Sequence, residues 1–507
     1  MNAGALFFRL GFALVMATEI STIAAGFSFP RSAPEEQGVS SAKLLGYVEA
    51  LDAKIEGMHS VMVVRHGKVI AEGWWTPYDA KSRHVMYSLS KSFAATAVGL
   101  AQAEGKLSVD DSVVSFFPDL APEKVSDNLK NMRVRDLLAM STGHHNEDIG
   151  SFNYFSDESP TKAFLAMPVA HKPGTHFVYN TPASYMLSAI VQQKAGAPIL
   201  EYLKPRLFDP LGIENPAWDT TKHGVNLGGF GLSIRTEDIA RFGQLYLQKG
   251  QWQGKQLLPA EWVEAATTRQ ASNGSNPKSD WDQGYGYQFW RCRNGAYRGD
   301  GAFGQFCVVM PERDAVLAIT SGVKDMQAIL NVTWENLLPA FAAKPLPADK
   351  ASAEKLNAKL AGLQLAPAPK GEAPSGLSDL LGLHSGRQFS FPTNAAKLEW
   401  LSVDLVKGAV AKLSARVDGA DYTLTGSQAG APWGKGTFAF AEMKGQPAAL
   451  SSGWDGDVLV AKIAFTEAPQ VLTLRLKILK DRLLVDPEFF VTFGPGKRPQ
   501  MVGTPAK

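Results

Sequence analysis

The run Ser92-Phe93-Ala94-Ala95-Thr96-Ala97-Val98-Gly99-Leu100-Ala101-Gln102-Ala103 is apolar or small on almost every side of a helical wheel. A helix formed here has almost no face to offer water and must lie inside a core. Gly105 supplies its C-terminal stop. Its opening turn reads Tyr87-Ser88-Leu89-Ser90-Lys91. A lysine in the first turn of a buried helix carries a desolvation penalty unless it is neutral or paired. Ser88 stands three residues before it, and residues i and i+3 share a helix face. A serine hydroxyl is a poor nucleophile and needs a neighbouring base. A lysine is that base only when neutral, a form favoured by burial and by the positive end of a helix dipole. The spacing therefore predicts Ser88 as a nucleophile and Lys91 as its general base. A capping serine beside a solvated lysine is the bland alternative, and the apolar run after Lys91 speaks against it.

Four further blocks follow in order. They are Arg135-Asp136-Leu137-Leu138-Ala139-Met140-Ser141-Thr142-Gly143-His144, then Pro173-Gly174-Thr175-His176-Phe177-Val178-Tyr179-Asn180, then Gly228-Gly229-Phe230-Gly231-Leu232 with Asp238-Ile239-Ala240-Arg241-Phe242-Gly243, then Gly301-Ala302-Phe303-Gly304-Gln305. Together with the S-x-x-K pair they resemble β-lactamase-related serine hydrolases across residues 30–342. That group includes class C β-lactamases, penicillin-binding D-Ala-D-Ala peptidases, family VIII esterases and amidases of small oligomers. The resemblance implies an acyl-enzyme on Ser88, Lys91 as base, and Tyr179 as the residue that relays a proton to the leaving group. It also implies an oxyanion hole from the backbone N–H groups of Ser88 and Ala302.

The chain departs from that pattern twice. The usual Y-x-N becomes Tyr179-Asn180-Thr181, so either Asn180 or Thr181 takes the place of the amide that contacts lysine and substrate. The usual K-T-G, H-x-G or W-G-G becomes Gly299-Asp300-Gly301, with no lysine or histidine at its first position. That cation helps to hold a substrate carboxylate, a charge-assisted contact. Arg298 is adjacent, but strand alternation sends it to the face opposite Gly299. Gly299, Asp300 and Gly301 are expected to border the substrate, and a carboxylate-reading penicillinase is disfavoured.

Other chemistries lack their signatures. There is no G-x-S-x-G elbow, no H-E-x-x-H and no C-x-x-C. His144 and His145 near Glu147 and Asp148 match no standard ligand spacing, so no metal and no cofactor is expected. The glycines from Gly250 to Lys255 do not have P-loop spacing. A formal net charge of +2 without a dense basic run argues against nucleic acid. Cys292 and Cys307 do not look like nucleophiles, and whether they bridge stays open.

A chain of 507 residues exceeds one ordinary core. Residues 1–25, with Arg9 before the short apolar run Leu10 to Ala17, read as a signal peptide, which implies a periplasmic or secreted protein, with an uncleaved anchor as the alternative. The run is too short to span a bilayer. Val61 to Ala71 reads as a hairpin around His66-Gly67, and Ala315 to Thr320 as a further strand. The resemblance implies an α+β fold in which these strands share one antiparallel sheet flanked by helices, with a mainly helical insertion over roughly residues 100–280. Residues 343–375, with Pro345, Pro347, Pro367, Pro369 and Pro374, read as a linker holding a helix near Ala353 to Leu363. Residues 376–507 show short alternating strands, among them Ala409 to Val417, Thr437 to Ala441, Val458 to Phe465, Leu472 to Ile478 and Phe490 to Phe493. They predict a small antiparallel barrel or sandwich, and its tail resembles lipocalin-like modules appended to such hydrolases. The expected function is hydrolysis of a small ester or amide, most simply an ester. A β-lactamase or D-Ala-D-Ala peptidase, an acyltransferase, and a non-catalytic binding protein of the same fold stay open as alternatives. The oligomeric state is not legible.

Overall fold

A computed structural model describes residues 28–406, 409–427 and 432–506. The expected signal peptide at residues 1–25 lies outside the described residues. The hairpin β1 (Met58–Arg65) and β2 (Lys68–Trp74) turns at His66-Gly67, both with positive φ. The later strands are β3 (Trp290–Arg291), β4 (Tyr297–Gly301), β5 (Gln305–Met310) and β6 (Ala315–Ser321). They join in the order β2-β1-β6-β5-β4-β3, antiparallel throughout, with Val61 opposite Ile319 at the centre. N-terminal and C-terminal strands therefore share one sheet.

These strands are apolar at nearly every position because both faces are covered. Val61, Val63, Phe306, Val308, Leu317 and Ile319 point to one face, packed by α1 (Ser41–Lys54) and by residues after the sheet. Met62, Val64, Cys307, Val309, Val316 and Ala318 point to the other, packed by α2 (Ser90–Ala103) and, from within the mainly helical insertion, α4 (Thr236–Leu247). Within that insertion, α3 (Thr181–Ala195) packs on α2. The two cysteines lie on opposite sides. Cys292 packs with the first cluster and Cys307 with the second, and both are free thiols.

Residues 343–375 hold α5 (Lys350–Ala361), packed on α1 and β2. Its Leu356 and Leu360, followed by Leu363 and Leu365, are buried in the same cluster as β1 and β6. A buried leucine stabilises by about 2 kcal/mol, so this segment is a strap on the hydrolase sheet.

Beyond it ten antiparallel strands close into a barrel. They run from β7 (Gln388–Ser390) through β13 (Val458–Phe465), β14 (Val471–Ile478) and β15 (Leu483–Phe489) to β16 (Met501–Pro505). Closure leaves no open edge. Leu472, Leu474, Leu476 and Ile478 alternate inward as their pattern requires. Phe490 to Phe493, expected as a strand, is instead a loop. The Phe489 N–H bonds to Gly496 O at 2.9 Å, and that short circuit pinches residues 490–495 out of the wall. The turn between β13 and β14 docks on the hydrolase domain. Glu467 O accepts from Val85 N at 2.9 Å, and Ala468 O accepts from the Tyr78 hydroxyl at 3.1 Å. Beside it, His59 Nδ1 and His84 Nε2 face each other at 3.1 Å, and His59 stacks on Tyr78 at 3.6 Å.

Candidate active site

Ser88 sits in a single 3-10 turn, Tyr87–Leu89, continuous with the first turn of α2. Lys91 Nζ lies 3.1 Å from Ser88 Oγ. It also lies 3.1 Å from Thr181 Oγ1 and 2.8 Å from Gly229 O. A neutral amine has two N–H donors and one lone pair. With the donors on Thr181 and Gly229, the lone pair is left for the Ser88 hydroxyl. Burial lowers the Lys91 pKa to about 7, and the charge of Asp300 opposes that shift. A substantial fraction of the amine is therefore free base at neutral pH.

Each partner is brought in by a local device. The segment carrying Tyr179 is laced to the Arg135–His144 block by three backbone bonds: Gly174 N to Ser141 O at 2.8 Å, His171 N to Gly143 O at 3.0 Å and Val178 N to Met140 O at 2.9 Å. A Cβ on Gly143 would lie 2.2 Å from His171 O, so only glycine permits this approach. Similarly, a Cβ on Gly229 would lie 2.7 Å from Thr181 Cγ2. The bare glycine lets its carbonyl reach Lys91.

Tyr179 stands over Lys91, with Nζ 5.0 Å from the ring centroid, and stacks on Trp290 at 5.4 Å. Burial raises its pKa, the Asp300 charge adds to that, and a hydrogen bond with Ser88 opposes both. Tyr179 is thus a neutral phenol that can pass a proton, while Lys91 is the group poised to take one. Asn180 and Thr181 separate in role. Asn180 is fully buried as the N-cap of α3, its Oδ1 accepting from Ala183 N at 2.9 Å and its Nδ2 donating to Thr142 Oγ1 at 2.9 Å. Thr181 is the one that touches Lys91.

The third motif closes the site from the sheet. A Cβ on Gly301 would lie 2.0 Å from Met86 O, so β4 can lie against the nucleophile turn only with glycine there. This sets the end of β4, just before Ala302, against the turn that carries Ser88, and among the described residues no loop or turn hydrogen bond takes up the N–H of Ser88 or of Ala302. Gly299 does not border the cleft. A Cβ there would lie 2.5 Å from both Leu89 Cδ1 and Ser92 Oγ, against the core side of α2. Asp300 points the opposite way, together with Arg298, as residues two apart on a strand do. Arg298 Nε donates to Asp300 Oδ2 at 2.8 Å. Burial pushes the Asp300 carboxyl up, Arg298 opposes that, and Trp290 adds a hydrogen bond. Arg298 is fully buried, with Nη1 on Asp280 O at 2.7 Å and on Cys292 Sγ at 3.1 Å. Burial raises the Cys292 thiol to about 11, so it is not a nucleophile.

Sequence reasoning did not assign Gly229 O, Trp290 or the Arg298–Asp300 pair. The double glycine at 228–229 and the opposite charges two apart on a strand were the available signals. Among the described residues no group of three or more His, Cys, Asp or Glu side chains could hold a metal, and the side chains of Glu147 and Asp148 lie outside that description. No helix among them is long and apolar enough to cross a membrane.

Comparison with known proteins gives the family and the fold. The family model described as Beta-lactamase matches residues 46–327. The 6-aminohexanoate-dimer hydrolase of Paenarthrobacter ureafaciens is 26% identical over 284 residues, spanning 52% of this chain and 72% of its own. A D-aminopeptidase of Brucella anthropi is 27% identical over 170 residues, 31% of each chain. A provisionally named 6-aminohexanoate-dimer hydrolase structure from Bacillus anthracis matches with a TM-score of 0.53 at 20% identity, covering 64% of this chain and 89% of that one. This last likeness shows the fold.

Proposed function

The chain belongs to the Beta-lactamase family and is a serine hydrolase, and we propose that it is an esterase for uncharged acyl esters, working through an acyl-enzyme on Ser88. Ser88 Oγ attacks the ester carbonyl as its proton passes to Lys91 Nζ. The oxygen that becomes negative is met by the Ser88 and Ala302 N–H groups, a contact whose loss typically costs about 10²–10³ in rate. The C–O bond to the alcohol breaks and the leaving oxygen takes a proton through Tyr179. Water then repeats the sequence in reverse and frees Ser88.

The observation that carries the choice of ester is the third motif. Its neighbouring cation, Arg298, is fully buried, and its Nη2 is shut off from solvent. Among the residues of this motif none offers a substrate carboxylate a positive partner, and Asp300 adds a negative charge that Lys91 and Tyr179 both feel. A second reading, cleavage of a small linear amide, draws support from the named activity of the Paenarthrobacter relative. The two separate in one assay. kcat/KM is compared for p-nitrophenyl acetate and butyrate, the 6-aminohexanoate dimer, and a cephalosporin. The ester reading expects the first two to lead. A higher value for the dimer or the cephalosporin overturns it. Export is part of the proposal and rests on residues 1–25. N-terminal sequencing of the protein from periplasm or medium tests it.

A further inference from the structure

We propose that the C-terminal barrel completes the substrate site, with Phe493, Phe303 and Tyr87 forming the wall that receives the acyl group, and that this group is bulky and apolar or aromatic. The proposal rests on the acyl-enzyme reading above. Tyr87 is the residue before the nucleophile, and Phe303 is the residue after the oxyanion donor Ala302. Their rings meet edge to face at 5.5 Å. Phe493, from the loop pinched out between β15 and β16, meets Tyr87 at 5.6 Å and Phe303 at 4.9 Å. Three aromatic rings from three distant parts of the chain thus converge beside the two groups that hold the reacting carbonyl.

The barrel holds this contact firmly. Gln470, buried in the turn between β13 and β14, donates from Nε2 to the Tyr87 hydroxyl at 3.0 Å. The loop is closed at its neck by Phe489 N to Gly496 O and tied by Phe490 N to Val471 O, both at 2.9 Å. Thr492 Oγ1 donates to Glu442 Oε1 at 2.9 Å, and Arg498 Nη2 to the same oxygen at 2.5 Å. On this anchored loop Phe493 is 76% exposed. A rigid loop that leaves a phenyl ring in water beside a catalytic turn offers apolar area for a ligand to cover.

The alcohol must reach the proton of Tyr179, whose ring neighbours are Trp290 and Tyr285. The trio shares no ring contact with that group. On this proposal it receives the other substituent of the carbonyl.

The test uses the full chain and p-nitrophenyl esters that share one leaving group: acetate, hexanoate and phenylacetate. Wild type should prefer phenylacetate to acetate, in kcat/KM, by roughly tenfold or more. Phe493→Ala should lower that ratio about tenfold, Phe493→Leu should lower it less, and Val406→Ala, at another exposed barrel position, should leave it unchanged. A ratio unmoved by Phe493→Ala, or an equal loss on every ester, overturns the proposal while ester turnover stands. No fluorophosphonate labelling of Ser88 and no ester turnover in folded wild type overturn the acyl-enzyme reading and this proposal together.

Discussion

Lowering the pH through 7 should switch acylation off, because the reaction runs on the neutral form of Lys91. Its pKa is held at about 7 by burial. One unit below that value about a tenth of the amine is free base, and two units below about a hundredth. The acylation rate should therefore fall about tenfold per pH unit below 7 and level off above it. The sign follows from the cause: burial disfavours the ammonium, so the base is available well below the usual lysine range. Asp300 opposes the shift, so Asp300→Asn should move the limb to more acid pH. Because that change leaves Arg298 without its carboxylate, rates are to be normalised to labelled Ser88. Lys91→Arg keeps a cation that cannot deprotonate and should lose about 10²–10⁴. The assay is the fluorophosphonate labelling rate of Ser88 and p-nitrophenyl acetate turnover between pH 5 and 9. A flat profile, a limb near 10, or an Arg variant with most of its turnover would refute the assignment of Lys91 as base.

Gly301→Ala would put a methyl 2.0 Å from Met86 O, displacing Ala302, so kcat for p-nitrophenyl acetate should fall about 10²–10³ while circular dichroism changes little. A chain ending at Ala342 would strip Leu356, Leu360, Leu363 and Leu365 from the sheet. It should be insoluble or lose its cooperative melt, which a soluble, cooperatively melting truncation would disprove. Burial lowers His84 to about 4, so the unfolded chain binds that proton first as pH falls. Stability should drop from about pH 6.5 down toward 4, with a share from His84 of about 2 kcal/mol at pH 5 beside that of His59, whose pKa burial also lowers. Tm at pH 7 and 5 for wild type and His84→Gln measures it, and an equal pH 5 loss in the variant would show that His84 is not the source.

What was legible in the sequence was local. Ser88 and Lys91 are one turn apart, and the apolar run after them places the turn against a core. The strands β1, β2 and β6 announced themselves as apolar runs, and the barrel by alternation and turns. The sequence left Asn180 and Thr181 as alternatives for the contact with Lys91, and the signal not used was that an asparagine ahead of Pro182 is a natural helix cap. Counting from the glycines put Gly299 at the cleft, whereas β4 turns Gly299 into the core and Asp300 with Arg298 to the other face. Phe490 to Phe493 alternates like a strand, but Gly494-Pro495-Gly496 closes a loop instead. The meeting of Phe493 with Tyr87 had no local signal, since it joins residues from opposite ends of the chain.

The fit of Gly301 against Met86 also bears on when the protein becomes reactive. Ser88 and Lys91 come from one turn of helix and can pair as soon as α2 forms. Ala302 arrives on the far side of the helical insertion, through strands that must find β1 from a distance, the kind of contact that forms slowly. On the proposed mechanism, a chain caught before β4 docks has Ser88 and Lys91 in place but lacks Ala302, one of the two oxyanion donors. Such a chain reacts poorly with esters or fluorophosphonates. Chemical competence is thus a late property of the folding chain, and an acyl probe counts finished molecules rather than nascent ones.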